Sequence, residues 1–175
     1  MNALLYVVKA LLSLVLFVML LRLLLQLARA DFRNPVAHAI VRLTNWLILP
    51  LRKILPPIGR LDTASVVAVV LVALAEVAIL HALTTREFPP LVPWVRESAL
   101  ILVLDTLRLY FFAIIIYALL SLIAQGNYSP FQSVLDQLVA PVLRPFRRLI
   151  PGVAGLDLSP LWACIAIQAL IILIA

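Results

Sequence analysis

The sequence predicts an all-α fold: a polytopic membrane protein of four transmembrane helices, arranged as two parallel-repeat helical hairpins, each with an amphipathic interfacial helix. Three observations carry this. The 175 residues are 65% hydrophobic and only 13% charged, with a mean hydropathy of +1.16, which excludes an ordinary soluble domain. Four apolar stretches reach or approach the roughly 20 residues that cross a hydrocarbon core of about 30 Å. One wording occurs twice at a constant offset of 95 residues, so that Pro35, Leu43, Pro50, Arg52, Pro56, Leu61 and Asp62 align without gaps on Pro130, Leu138, Pro145, Arg147, Pro151, Leu156 and Asp157. That period is too long for a solenoid and fits two units of one fold.

The first repeat covers residues 1–83 and opens with a span over 3–28. Asn34-Pro35 then sets a capping side chain before a proline, whose missing donor is an orphan at the first helical position anyway, and so starts a helical segment over 34–57. Along it His38, Arg42, Asn45 and Arg52 recur at helical spacing on one narrow face, which makes it amphipathic. Pro50 removes a backbone bond and predicts a break before Arg52-Lys53, and Pro56-Pro57 end the turn. Asp62 caps the outgoing span over 63–83.

A linker over 84–97 leads to the second repeat, 98–175, with a span over 98–124, an amphipathic segment over 129–152 and a span over 158–175. Ser129-Pro130 repeats the helix start, and Gln132 completes a capping box. Ser133, Gln137, Ala140, Arg144 and Arg147 occupy the matching face, Pro145 the matching break, and Pro151-Gly152 the matching end. Asp157, or Ser159 ahead of Pro160, caps the last span. That span is short and ends on an apolar residue, so either tilt and bilayer thinning accommodate it or a tail follows.

The formal net charge of +6 would suit nucleic acid on a soluble protein, but its placement reads as topology. Arg29, Arg33, Arg42, Arg52, Lys53 and Arg60 lie between the first and second spans and Arg144, Arg147 and Arg148 between the third and fourth; Arg86 and Arg96 alone lie between the second and third spans. Nine against two puts both segments in the cytoplasm and both termini outside. Trp46 then falls at the inner interface, Trp94 at the outer, and Trp162 at the inner end of the last span. Ala28-Arg29-Ala30 has the small-residue pattern of a signal cleavage site, but the apolar run before it is too long, Arg22 interrupts it, and its charge lies at the wrong end. The single cysteine, Cys164, permits no intrachain disulfide and reads as a small hydrophobe.

Arg42, Arg52, Lys53, Arg144, Arg147 and Arg148 are the candidate contacts to anionic lipid or a protein partner, since a cationic strip on an apolar helix rests among headgroups. Re-entry into the bilayer against the other spans is the competing placement. Expected partners are membrane lipids, other membrane or cytoplasmic proteins, and a second copy of the chain; nucleic acid is not among them.

Asn34-Pro35, then Pro50-Leu51-Arg52-Lys53-Ile54-Leu55-Pro56-Pro57-Ile58-Gly59 and Asp62, answered by Pro141 through Gly152 with Gly155, Asp157, Ser159 and Pro160, resembles the YggT family, also called YlmG. The resemblance runs through the whole chain in two copies. Departures are the pair Ala64-Ser65, against Ser159-Pro160 in the second copy, and the short last span. It implies a bacterial inner-membrane protein with relatives in chloroplasts. It also implies links to cell division and nucleoid organisation, to osmotic or potassium-stress tolerance, and to cofactor assembly in plastids.

Ionisable groups inside spans are functional candidates by default. Arg22 lies close enough to the charged inner flank for snorkelling to account for it. Lys9, Glu76, Asp105 and Arg108 fall at one depth, with Asp105 and Arg108 on one helix face, and their charges cancel. A network of this kind either orients the bundle or relays a proton or cation through Glu76. His81 reads as interfacial and His38 as solvated.

No nucleophile elbow, phosphate-cradling glycine loop, histidine pair or cysteine cluster occurs, so neither catalysis, a cofactor nor a metal is expected. Three functions remain: a membrane organiser acting through the basic helices, a component of ion or osmotic-stress transport acting through the intramembrane charges, and an assembly factor for another membrane complex.

Overall fold

The computed structural model of the chain describes residues 3–56, 62–123, 129–149 and 157–175. Six α-helices account for most of these residues: α1 Ala3–Leu27, α2 Pro35–Ile54, α3 Thr63–Thr85, α4 Leu91–Ile123, α5 Pro130–Leu149 and α6 Ser159–Ile174. No strand occurs among the described residues. Pro57, Gly59, Arg60, Pro151, Gly152 and Gly155, expected in the turns after α2 and α5, lie outside them.

α1, α3 and α4 are long and apolar enough to cross a membrane. They are apolar on every side, with Leu4, Leu11 and Phe17 of α1 and Leu71 and Ile79 of α3 exposed, a pattern that only a hydrocarbon surround tolerates. The fourth expected span, α6, is an apolar helix of 16 residues, shorter than the usual range. α4 starts at Leu91 rather than at 98 and runs for 33 residues, so the expected linker shrinks to the residues between Thr85 and Leu91. Pro89-Pro90 precede it and Pro93 sits in its first turn, where the missing amide proton costs nothing.

Helix ends follow local chemistry. Asn34 Oδ1 accepts the Val36 amide (2.9 Å), and Ser129 Oγ accepts the Gln132 amide (3.2 Å). These are the expected caps. α1 closes in a Schellman motif: Arg29 is left-handed (φ 58°), its amide donates to Gln26 O (3.1 Å), and the Ala30 amide donates to Leu25 O (2.9 Å). Ala28-Arg29-Ala30 is thus the helix stop of α1.

The expected breaks at Pro50 and Pro145 do not occur. α2 continues through Pro50 to Ile54, and α5 through both Pro141 and Pro145 to Leu149. All three prolines are exposed, and the carbonyl that Pro50 leaves unpaired one turn back, that of Trp46, sits on an outward face. The inward faces carry the packing: Ala37, Ile40, Thr44 and Ile48 of α2, and Val134, Leu135, Leu138 and Leu143 of α5, are all buried.

The chain forms two compact units, Met1–Leu23 with Ile40–Asp105, and Leu24–Ala39 with Thr106–Ala175. In the first, α3 buries Ala64, Ser65, Ala68 and Ala73, a small-residue seam that admits close helix approach. In the second, α5 packs on α6, which buries Ser159, Pro160, Ala163 and Ile167. Here too the entry to α2 is tied to α5: Asn34 Nδ2 donates to Pro130 O (2.8 Å), and the Asp31 amide donates to Gln137 Oε1 (2.7 Å).

Candidate functional site

Each amphipathic helix ends on a charged pair, Arg52-Lys53 in α2 and Arg147-Arg148 in α5. In both, the arginine turns back onto the aspartate ten residues on. Arg52 Nε and Nη2 donate to Asp62 Oδ2 at 3.1 and 2.5 Å, and Arg147 Nε donates to Asp157 Oδ2 at 2.9 Å. The same contact therefore forms twice at the 95-residue offset.

The surroundings differ. Asp62 is buried and also accepts the Ser65 hydroxyl (2.7 Å), with Arg52 half-exposed above it. Burial alone would raise its pKa; the Arg52 and Ser65 hydrogen bonds and the Arg52 charge outweigh this and hold it below the usual carboxylate range. Asp62 occupies the cap position of α3, yet its carboxylate serves Arg52 and Ser65 rather than a backbone amide. Asp157 is exposed and does take the Ser159 amide (2.9 Å), and its partner Arg147 also donates to Tyr117 Oη (2.8 Å) while lying 5.9 Å from that ring. Burial pushes Asp157 up less than Ser159 and Arg147 pull it down.

Arg22 does not snorkel. It is 3% exposed, and its Nη1 donates to Thr44 Oγ1 (2.6 Å), Asn45 Oδ1 (2.9 Å) and Val41 O (3.2 Å), so it ties α1 to α2. The inner flank is not its destination because α2 supplies nearer acceptors. At the 95-residue offset Arg22 corresponds to Tyr117, the residue that meets Arg147.

Of the remaining expected contacts, Arg42, Lys53, Arg144 and Arg148 are exposed on α2 and α5, while Arg52 and Arg147 are committed to their aspartates. Glu76 is buried in α3 and accepts the Ser13 hydroxyl at Oε1 (2.7 Å); Lys9 on α1 and Asp105 on α4 lie within electrostatic reach of it. Arg108 follows Asp105 by three residues on α4. Among the described residues no group of three metal-ligating side chains occurs.

Sequence reasoning saw Arg52, Arg147, Asp62 and Asp157 as repeated residues but missed their pairing. The signal was the equal ten-residue separation in both copies. For Arg22 the signal was weaker: two small polar residues, Thr44 and Asn45, on the facing helix.

Long apolar helices carrying cationic amphipathic helices define a helical membrane protein. Within that class the chain belongs to the CCB3/YggT family, whose profile matches residues 1–83 and 98–175. It is similar to the uncharacterized protein PA0392 of Pseudomonas aeruginosa, 39% identical over 99% of this chain and 88% of that one. Similar too are the uncharacterized protein YggT of Escherichia coli K12, at 35% over 92% of this chain and 83% of that one, and an uncharacterized protein encoded in the proC 3′ region of Vibrio alginolyticus, at 37% over 96% and 91%. No solved structure matches the chain.

Proposed function

We propose that the protein is a non-enzymatic organiser or assembly factor of the bacterial inner membrane, serving cell division or membrane-complex assembly, whose basic amphipathic helices contact anionic lipid or a protein partner. In this reading α1, α3, α4 and α6 cross the bilayer as two parallel hairpins, both termini lie in the periplasm, and α2 and α5 rest on the cytoplasmic leaflet. The observation that carries it is the makeup of the outward faces. On α2, Arg42 and Lys53 share exposure with Leu43, Trp46, Leu49 and Ile54; on α5, Arg144 and Arg148 share it with Phe131 and Leu149. Cations beside large exposed hydrophobes suit the headgroup boundary, where each Lys or Arg contributes about 1 kcal/mol against an anionic leaflet.

The test uses cations that are not held by aspartates, so that anchoring and folding are not confused. A variant with Arg42, Lys53, Arg144 and Arg148 all changed to Gln should remain in the membrane yet fail to complement a deletion strain. In a version with Trp46 as sole tryptophan, quenching by brominated lipid should be stronger with phosphatidylglycerol than with phosphatidylcholine, and the variant should lose that difference. Full complementation by the variant would sink the proposal.

A second reading, a component of ion (potassium) or osmotic-stress transport, draws on one observation, the carboxylate of Glu76 buried inside a span. It expects Glu76→Gln with Asp105→Asn to abolish function while the four-cation variant retains it.

A further inference from the structure

Glu76 sits in mid-helix, nine residues from the nearer end of α3, or about 14 Å at a rise of about 1.5 Å per residue. It is 2% exposed. Ser13 of α1 donates to one carboxylate oxygen, Oε1, at 2.7 Å. The other, Oε2, is buried with no hydrogen-bond partner among the described residues. The charged groups acting on it are Lys9 from α1 and Asp105 from α4, of opposite sign.

A buried carboxylate with one oxygen unpartnered is the costliest form of this side chain in an apolar setting, whereas its neutral acid leaves only a hydroxyl to be satisfied. The fold itself does not ask for a carboxylate here. At the 95-residue offset Glu76 corresponds to Ile171 in α6 and Ser13 to Arg108 in α4, whereas the Arg52–Asp62 contact recurs as Arg147–Asp157. The architectural contact is kept in both copies; the Ser13–Glu76 pair occurs in the first alone.

We propose that Glu76 is a proton-binding site within the bilayer, taking a proton on the oxygen that Ser13 leaves unpartnered. The step is a simple association: an O–H bond forms at Oε2, the carboxylate becomes neutral, and release reverses it with no change of oxidation state. The site stands apart from the basic helices and does not depend on the organiser reading.

Infrared difference spectroscopy of the full chain in lipid, recorded across a pH series, tests it. At neutral pH the wild type should show a protonated-carboxyl stretch that converts to carboxylate bands at alkaline pH, and Glu76→Gln should lack it. Identical spectra for wild type and a folded Glu76→Gln variant overturn the proposal. Ser13→Ala keeps the carboxyl and removes its donor, so the band should move to higher frequency; an unmoved band also overturns it. Spectra in choline, sodium and potassium salts should coincide. A carboxyl that protonates only when alkali ions are withdrawn would replace the proton site with an alkali-cation site.

Discussion

Arg52–Asp62 and Arg147–Asp157 join the end of an amphipathic helix to the start of the helix that follows, and burial separates their strengths. The Asp62 side chain is 5% exposed and that of Asp157 43%, so solvent screens the second contact far more. Asp62→Asn should therefore cost about 2 kcal/mol, because a half-exposed arginine loses a buried partner. Asp157→Asn should cost only about 0.5 kcal/mol. Thermal unfolding of the detergent-solubilised chain would rank them, and equal losses would contradict the burial argument. Both carboxylates are held below their ordinary range, so their contributions are complete above it and disappear as pH falls through the lowered folded values. The gap between wild type and Asp62→Asn should stay constant above about pH 5, begin to narrow only as pH falls below about 4, and vanish once pH is below the lowered folded value. Arg22 gives a third comparison: Arg22→Met strips Thr44 and Asn45 of their donor and should cost about 2–3 kcal/mol, whereas a snorkelling arginine would be replaceable at almost no cost.

At the scale of elements, the prolines of α2 and α5 show that position on a helix decides what a proline does. Pro50, Pro141 and Pro145 face outward, where a freed carbonyl is not sealed in the core, and the inward stripes of both helices run on past them. A helix held by its buried face tolerates a missing bond on the other side. Pro50→Ala should restore an amide that donates to Trp46 O and stabilise α2 by about 1–3 kcal/mol, with slower amide exchange over 47–54. A loss of stability would mean that the proline shapes the helix and is not merely accommodated by it.

For the whole molecule, the placement of charge makes a topological prediction that three long spans and one short apolar helix must satisfy together. After Cys164→Ala, single cysteines at Lys53 and Arg148 should react with a membrane-impermeant maleimide only in inside-out vesicles, and cysteines at Arg86 and Arg96 only in intact spheroplasts. Labelling of Lys53 and Arg148 from opposite faces would mean that α3 and α4, which lie between them, do not both cross the bilayer. The compact units also cut across the repeated wording, since the entry to α2 is bonded to α5 through Asn34 and Gln137. The repeat periodicity carries no information about such an exchange, because it arises between copies and not within one.

Hydropathy, composition and capping chemistry are properties of short stretches of chain. From them the sequence alone determined the membrane class, the family, the existence of six helical segments and the starts at Asn34-Pro35 and Ser129-Pro130. Its errors fell where a residue's role depends on what faces it. Arg22 looked like a snorkelling side chain until α2 placed Thr44 and Asn45 beside it, Asp62 looked like a cap until Arg52 turned back onto it, and Pro50 looked like a break until the inward face of α2 held the helix together. Those outcomes belonged to the tertiary structure, because a hydrogen bond or an ion pair is decided by which faces meet, and a linear pattern encodes only the faces.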